Sequence, residues 1–284
     1  FLPQMNALGV TTVECKSGYG LNKESELKLL AVYDELTETG PTRILSTFLG
    51  AHMVPNEYRE KREEYISLLT EELIPEVAKK NLASFCDIFV EESAFSLEEA
   101  RMILGVAKQH GLTPKLHVDQ LTPGKGAELA ADMRAASADH LEHISEEGIK
   151  RLAQEGVVAV SLPLASLYTN EPYLNARPLL EAGVDVAVAT DFNPGSAPSY
   201  DLPLALLLSC NGNRLTPHEA LKGATIIAAK ALQIDGTTGS LEPGKSADFA
   251  ILDTPSINHW LYHFQPNCCL ATVSQGELLY GSLS

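Results

Sequence analysis

Short apolar runs rich in β-branched residues alternate along the chain with longer stretches whose apolar positions recur at helical spacing. Val10 to Lys16 (VTTVECK) reads as a strand and Glu24 to Thr39 as a helix. Arg43 to His52 (RILSTFLGAH) is the next strand, and Tyr58 to Lys80 a long charged helix. Phe85 to Glu91 (FCDIFVE) is again a strand. Ser96 to His110 follows as a helix opened by Ser-x-x-Glu, a capping box. Pro114 to Gln120 (PKLHVDQ) and Ala138 to His143 (ADHLEH) are strands around a glycine-rich turn and a helix ending near Ala136. Ser145 to Gln154 is a helix capped by Ser-x-x-Gly. Val157 to Pro163 and Val184 to Asp191 are two further strands, separated by a helix ending at Gly183.

Strands alternating with helices predict βα units and a parallel α/β sheet. Seven strands precede a change of pattern. That count suits an open doubly wound sheet or a TIM-type (β/α)8 barrel lacking one unit. Helices follow Pro217, and then Gly239 to Asp253 and Leu270 to Tyr280 each read as hairpins. A late β segment after a barrel predicts a small accessory sheet. The expected division is a barrel over 1–238 and an accessory β-sandwich remnant over 239–284.

Polar residues sharpen this picture by their place in the strands. His52, His117, Gln120, His140 and Asp191 all fall at the C-terminal ends of predicted strands. In a parallel barrel that face carries the active site. One such histidine is commonly structural; five polar groups at equivalent ends are hard to explain by packing. Neutral imidazole and carboxylate suit Zn²⁺ or iron, which makes His117 and Asp191 the natural ligand pair. The chain has no His-x-His. His140 and His143 are three apart, the wrong spacing for one face of a strand. His259 and His263 lie in the late region and read as structural or surface residues, as do His110 and His218 at helix ends. Two loops join the same face: Lys16-Ser17-Gly18-Tyr19-Gly20 after the first strand and Asp191-Phe192-Asn193-Pro194-Gly195-Ser196 after the last. Asn193, Ser196 and the Gly195 N–H are groups suited to holding a carboxylate.

Composition excludes several classes. The net charge is −16, which argues against nucleic acid as the main partner. It leaves room for a small acidic substrate in a locally cationic pocket. No apolar run approaches the roughly 18 residues of a membrane span. Five scattered cysteines without a CxxC pair fit reduced thiols and a cytoplasmic protein. The adjacent Cys268 and Cys269 read as incidental.

Five stretches then carry a specific resemblance: TTVECKSGYGL (11–21), LGAHMVPNEY (49–58), KLHVDQL (115–121), SADHLEH (137–143) and ATDFNPGSAP (189–198). In order, they resemble the imidazolonepropionases of the amidohydrolase superfamily, and GSLEPGKSADFAILD resembles that superfamily's return to its β-sandwich. The resemblance implies a metal-dependent TIM-type hydrolase barrel with one zinc or iron ion. It implies His117 and Asp191 as ligands from the fifth and eighth strands, and His140 and Asp191 as catalytic groups. Tyr19, His52 and Gln120 correspond to substrate-pocket positions, the last being Glu in some relatives. Asn193, Gly195 and Ser196 correspond to the grip on the substrate tail, and the resemblance leaves His143 open between a site role and a bystander. The implied reaction is hydrolysis of 4-imidazolone-5-propanoate to N-formimidoyl-L-glutamate, with a small-molecule substrate and a homodimer as the expected partners. The family begins with a His-x-His strand and an arginine that do not precede Phe1, so the first βα unit is expected to lie outside this chain. Two rival readings stand beside this one. The first is another cyclic-amide or amidine amidohydrolase or deaminase. The second is a catalytically inactive barrel fragment that serves as a binding or oligomerisation module.

Overall fold

A computed structural model describes residues 1–263 and 267–283. The chain groups into two compact units. One comprises Glu14–Gly40 and Ile44–Val157; the other comprises Phe1–Val13, Pro41–Arg43 and Val158–Ser284.

The first unit is a run of βα repeats. The last residues of β1 (Thr12–Lys16) lead into the helix Lys23–Thr39, followed by β2 (Arg43–Ala51) and β3 (Phe85–Val90). Then come the helix Leu97–Gln109, β4 (Thr113–Val118), the helix Gly126–Met133, β5 (Ser137–His140) and the helix Glu146–Glu155. β2, β3, β4 and β5 pair in that order, all parallel. The predicted capping box forms: the Ser96 side chain accepts from Glu99 N–H, and the Glu99 carboxylate accepts from Ser96 N–H. The apolar stripe Ala100, Ile103, Leu104 and Ala107 turns inward at helical spacing and is buried. Gly126 opens its helix hard against β4, where a Cβ would meet the Val118 Cβ at 2.3 Å. No larger residue fits that approach.

The long helix expected over 58–80 is interrupted. A 3₁₀ turn at Asn56–Tyr58, a helix at Arg62–Ser67, a π-helical turn at Leu68–Leu73 and a helix at Ile74–Lys79 replace it. Pro75 explains the break, because it has no N–H for a carbonyl one turn earlier and its ring crowds that turn. The wider π turn absorbs the misfit. Its apolar side, with Leu69, Leu73, Ile74 and Val77, stays fully buried.

The second unit holds β6 (Val158–Ser161) and β7 (Val186–Val188), a parallel pair, with helices at Pro163–Thr169, Ala176–Glu181, Leu202–Asn211, Pro217–Gly223 and Ile226–Ala231. It also holds an antiparallel sheet of β8 (Phe249–Leu252), β9 (Cys269–Ser274) and β10 (Glu277–Gly281), with β9 central. β9 and β10 form the predicted hairpin, turning at Gln275 and Gly276, both at positive φ (54° and 83°). That is the backbone a two-residue hairpin needs. The hairpin expected within 239–253 does not form. Only its second half is a strand, and it pairs with β9. Pro243 offers no N–H for a ladder and Gly244 turns at φ +95°, so pairing cannot run through that stretch.

Asp248 ties this unit together. Its buried carboxylate accepts from Thr238 Oγ1 at 2.6 Å, Ser246 Oγ at 3.0 Å and the Gln275 N–H at 2.6 Å, and pairs with Arg43 at 3.2 Å. Thr272 Oγ1 donates to the Asn6 carbonyl at 2.6 Å, which fastens the N-terminal helix Leu2–Asn6 to β9.

Candidate active site

Strand alternation places Glu14 and Lys16 on one face of β1, Asp87 and Phe89 on one face of β3, Lys115 and His117 on β4, and Ser137 and Asp139 on β5. Register aligns them: Asp87 lies beside Lys115, Phe89 beside His117, and His117 beside Asp139. A face with this much charge, this deeply buried, has to satisfy itself internally. It does so around Lys16. The ammonium lies 2.5 Å from Asp87 Oδ2, 2.8 Å from Asp139 Oδ2 and 3.4 Å from Glu14. Lys115, which unlike the half-buried Lys16 is fully buried, lies 3.2 Å from Glu14. The Asp139 hydroxyl partner is Ser137, donating at 2.7 Å. Burial alone would raise the Asp139 carboxyl, but the Lys16 charge, then Lys115 and His117, hold it down at about 2. Asp87 is likewise below the usual carboxylate range: burial opposes this, and His117 and Lys16 overcome it. Lys16 stays charged, since Asp139, Asp87 and Glu14 together outweigh its burial.

Above this network stands a line of rings at the strand ends. Tyr19 and His52 have centroids 5.3 Å apart, His52 and Phe89 6.1 Å, Phe89 and His117 6.5 Å, and His117 and His140 5.4 Å. Four of the residues expected from sequence, Tyr19, His52, His117 and His140, therefore gather in one place. Asp87 Oδ1 lies 3.1 Å from Nδ1 of His117. A carboxylate only accepts, so Nδ1 carries the proton and the Nε2 lone pair is left for a metal. His140 ends β5 at φ +78°, followed by Leu141 at +70°. Consecutive non-glycine residues in this region store strain of about 1–3 kcal/mol each, and such strain clusters at functional sites. Two buried imidazoles on adjacent strands, one of them oriented by a carboxylate, fit a divalent metal by donor chemistry.

Buried carboxylates also fix the loops. Glu26 is fully buried and accepts from the Gly18 N–H at 3.1 and 2.9 Å, the Gly20 N–H at 2.8 Å and the Leu21 N–H at 2.9 Å. This clamps the loop that displays Tyr19. Gly18 is required there: it sits at φ +101°, and a Cβ would meet the Leu49 carbonyl at 2.7 Å. Its own carbonyl accepts from Nδ1 of His52 at 2.9 Å, which ties His52 to the same loop. Glu91 accepts from the N–H groups of Gln120 at 2.9 Å and Leu121 at 2.8 Å, and from Thr122 Oγ1 at 2.7 Å. That bond sets the backbone at Gln120. Asp119 accepts from Gly124, Gly126 and Ala127.

In the other unit, the remaining expected residues share one turn. Asp191 lies three residues past β7 at φ +55°. Asn193 Nδ2 donates to the Asp191 carbonyl at 2.7 Å and reaches its carboxylate at 3.3 Å. Asn193 Oδ1 accepts from Gly195 N–H at 2.8 Å and Ser196 N–H at 2.7 Å. The Gly195 N–H therefore already has a partner inside the turn. His259 and His263 stack at 4.0 Å on the late helix Ile257–Tyr262 and its cap, away from all of these residues in sequence.

A family model described as the amidohydrolase family matches residues 46–279. An imidazolonepropionase from Bacteroides fragilis is 46% identical over 99% of this chain and 68% of its own length. Another, from Geobacillus thermodenitrificans, is 48% identical over 95% of the chain and 64% of its own length. The chain belongs to the amidohydrolase family, among its imidazolonepropionases. It spans about two thirds of the length of these relatives. Solved structures support the fold at low identity. An adenosine deaminase from Xanthomonas campestris superposes with a TM-score of 0.73 at 20% identity, over 98% of this chain and 67% of its own. The guanine deaminase of E. coli gives 0.72 at 16%, over 99% and 73%. Of the two architectures the strand pattern left open, the TIM-type barrel that the resemblance implied is thus the observed one. Amidohydrolases of the imidazolonepropionase kind are hydrolases of a cyclic-amide C–N bond acting on a small molecule. Among the described residues no helix is long and apolar enough to cross a membrane.

Sequence reasoning missed Lys16, Asp87, Lys115 and Asp139, as well as the loop anchors Glu26 and Glu91. The signal for the first group was present: charged residues at every second position inside otherwise apolar strands.

Proposed function

We propose that the protein hydrolyses 4-imidazolone-5-propanoate to N-formimidoyl-L-glutamate, a step of histidine breakdown. The observation that supports this reading most is the pairing of His117 with His140 at adjacent strand ends, in a chain 43–48% identical to imidazolonepropionases. In this reading His117, through Nε2, and Asp191 hold one zinc or iron ion. A metal bound there supplies Lewis acidity and lowers the pKa of water toward neutrality. Asp191 accepts the proton of the attacking water and passes it to the departing ring nitrogen, acting as base and then acid. His140 stabilises the negative charge that develops on the ring carbonyl oxygen. Tyr19, His52 and Gln120 orient the ring. Asn193, Gly195 and Ser196 grip the propionate, and for Gly195 this requires its N–H to leave Asn193. We assign residues 1–238 to the barrel and 239–284 to the accessory sheet, and place the enzyme in the cytoplasm, where its five free thiols stay reduced.

The test is a substrate panel with the metal-loaded protein: 4-imidazolone-5-propanoate beside guanine and cytosine, with products read by mass spectrometry. Formation of N-formimidoyl-L-glutamate alone is expected. Deamination of a base without attack on the imidazolone would replace this reading with that of a deaminase.

A further inference from the structure

His117 takes part in two groups of side chains that have the composition of a metal site. One of them, Asp87, His117 and Asp139, is wholly buried and holds two carboxylates. On donor chemistry alone it is the stronger cation trap. Its cation position is already filled: the Lys16 ammonium lies 2.5 Å from Asp87 and 2.8 Å from Asp139. A divalent ion placed there would meet a fixed positive charge at contact distance, between two buried carboxylates where screening is weak. We propose that Asp87 is a positioning residue rather than a metal ligand: held by Lys16, it locks His117 in the Nδ1–H form and aims Nε2 at a single metal. This rests on the reading of His117 as a ligand given above.

The bonding at Asp87 leaves little freedom. Oδ2 is taken by Lys16 at 2.5 Å. Oδ1 accepts from the Ile88 N–H at 2.7 Å and faces His117 Nδ1 at 3.1 Å. With both oxygens held, the carboxylate cannot rotate away from the imidazole. Lys16 is itself held by Asp139, which Ser137 fixes in turn. The chain Ser137–Asp139–Lys16–Asp87–His117 therefore runs from rigid strand to ligand through direct side-chain contacts. An imidazole that ligates through Nε2 needs its proton on Nδ1, and an anionic acceptor there both selects that tautomer and raises the basicity of the ligating nitrogen.

Two measurements on the full chain test this. The first needs no variant: ¹⁵N NMR of the metal-free protein reports which nitrogen of His117 carries the proton, the resonance being assigned by its loss in His117→Gln. The Nδ1–H form is expected; an Nε2–H form overturns the proposal even if zinc binds. The second is zinc affinity by chelator competition for the wild type, Asp87→Asn and Asp87→Ala, with folding checked by circular dichroism and stoichiometry by elemental analysis. One zinc per chain is expected in the wild type. Affinity should fall about 10- to 100-fold, the amide being the milder change because it can still accept from Nδ1. Unchanged affinity in a folded Asp87→Ala overturns the positioning role, and two zinc ions per wild-type chain would mean Lys16 does not exclude a cation. A wild type that binds no zinc while showing the Nδ1–H form would sink the ligand reading instead, so the two failures are told apart.

Discussion

Asp87 and Asp248 are both aspartates with covered carboxylates that accept several hydrogen bonds, and both are held below the ordinary carboxylate range. Their partners differ. Asp248 is surrounded by groups that bond only to it or to one another: two hydroxyls, one backbone N–H and Arg43, which also donates to Ser246. They join β8, the hairpin turn and the start of β2, and the bonds end there. Asp87 faces a lysine shared with a second carboxylate and a histidine whose far nitrogen is uncommitted to the network. Burial and a lowered pKa alone would rank the two alike. What separates a structural hub from a functional one is whether one partner carries a further lone pair or proton to somewhere else.

No stability effect should exceed that of Asp248. Asp248→Ala removes the carboxylate that Arg43, Thr238, Ser246 and the Gln275 N–H share and should cost about 3 kcal/mol in urea melts. Turnover per folded molecule should stay near that of the wild type. A folded Asp248→Ala protein with lost turnover would erase the distinction drawn above.

Glu26 sharpens the comparison from a third side, since it accepts from backbone N–H groups of one loop. Glu26→Ala should destabilise by about 3 kcal/mol and raise KM more than it lowers kcat, because the displaced loop carries Tyr19 and, through the Gly18 carbonyl, His52. An equal fall in kcat with constant KM would contradict a loop-positioning role.

Acid titration bears on the network around Lys16. Asp139 is held at about 2, against an ordinary value near 3.9. A depressed carboxyl contributes stability that is full above the unfolded value and lost as pH falls through the folded one. Unfolding free energy should therefore drop steeply below about pH 4. A flat profile from pH 5 to 2 would show that these carboxylates gain nothing from Lys16. The smallest effect belongs to Asn193: its turn is half-exposed, so water replaces the lost bonds in Asn193→Ala. We expect about 0.5–1 kcal/mol in thermal melts; a loss above 3 kcal/mol would make the turn a structural hub as well.

Much of the fold was legible, because alternation of β-branched runs with amphipathic stretches survives in any parallel α/β chain. The strand-end residues were legible for a related reason: a histidine where a strand stops stands out from the apolar run before it. Asp87 and Asp139 left only a weak trace, a single acidic residue inside the short runs FCDIFV and SADH, and their charges find partners on β1, which is distant in sequence. Glu26 looked like one more acidic residue in the first turn of a helix, where acids are common for dipole reasons. Its burial depends on the loop folding back over it. The helix over 58–80 was read too long because a charged periodic pattern conceals the consequence of Pro75.

The most direct measurement is conversion of 4-imidazolone-5-propanoate by the metal-loaded protein, wild type beside Asp191→Asn, with N-formimidoyl-L-glutamate quantified and the fold of both checked by circular dichroism. The expected result is product from the wild type and a 10²- to 10⁴-fold slower rate from the equally folded variant. A near wild-type rate in metal-loaded Asp191→Asn, or a wild type that leaves this substrate untouched, would contradict the account.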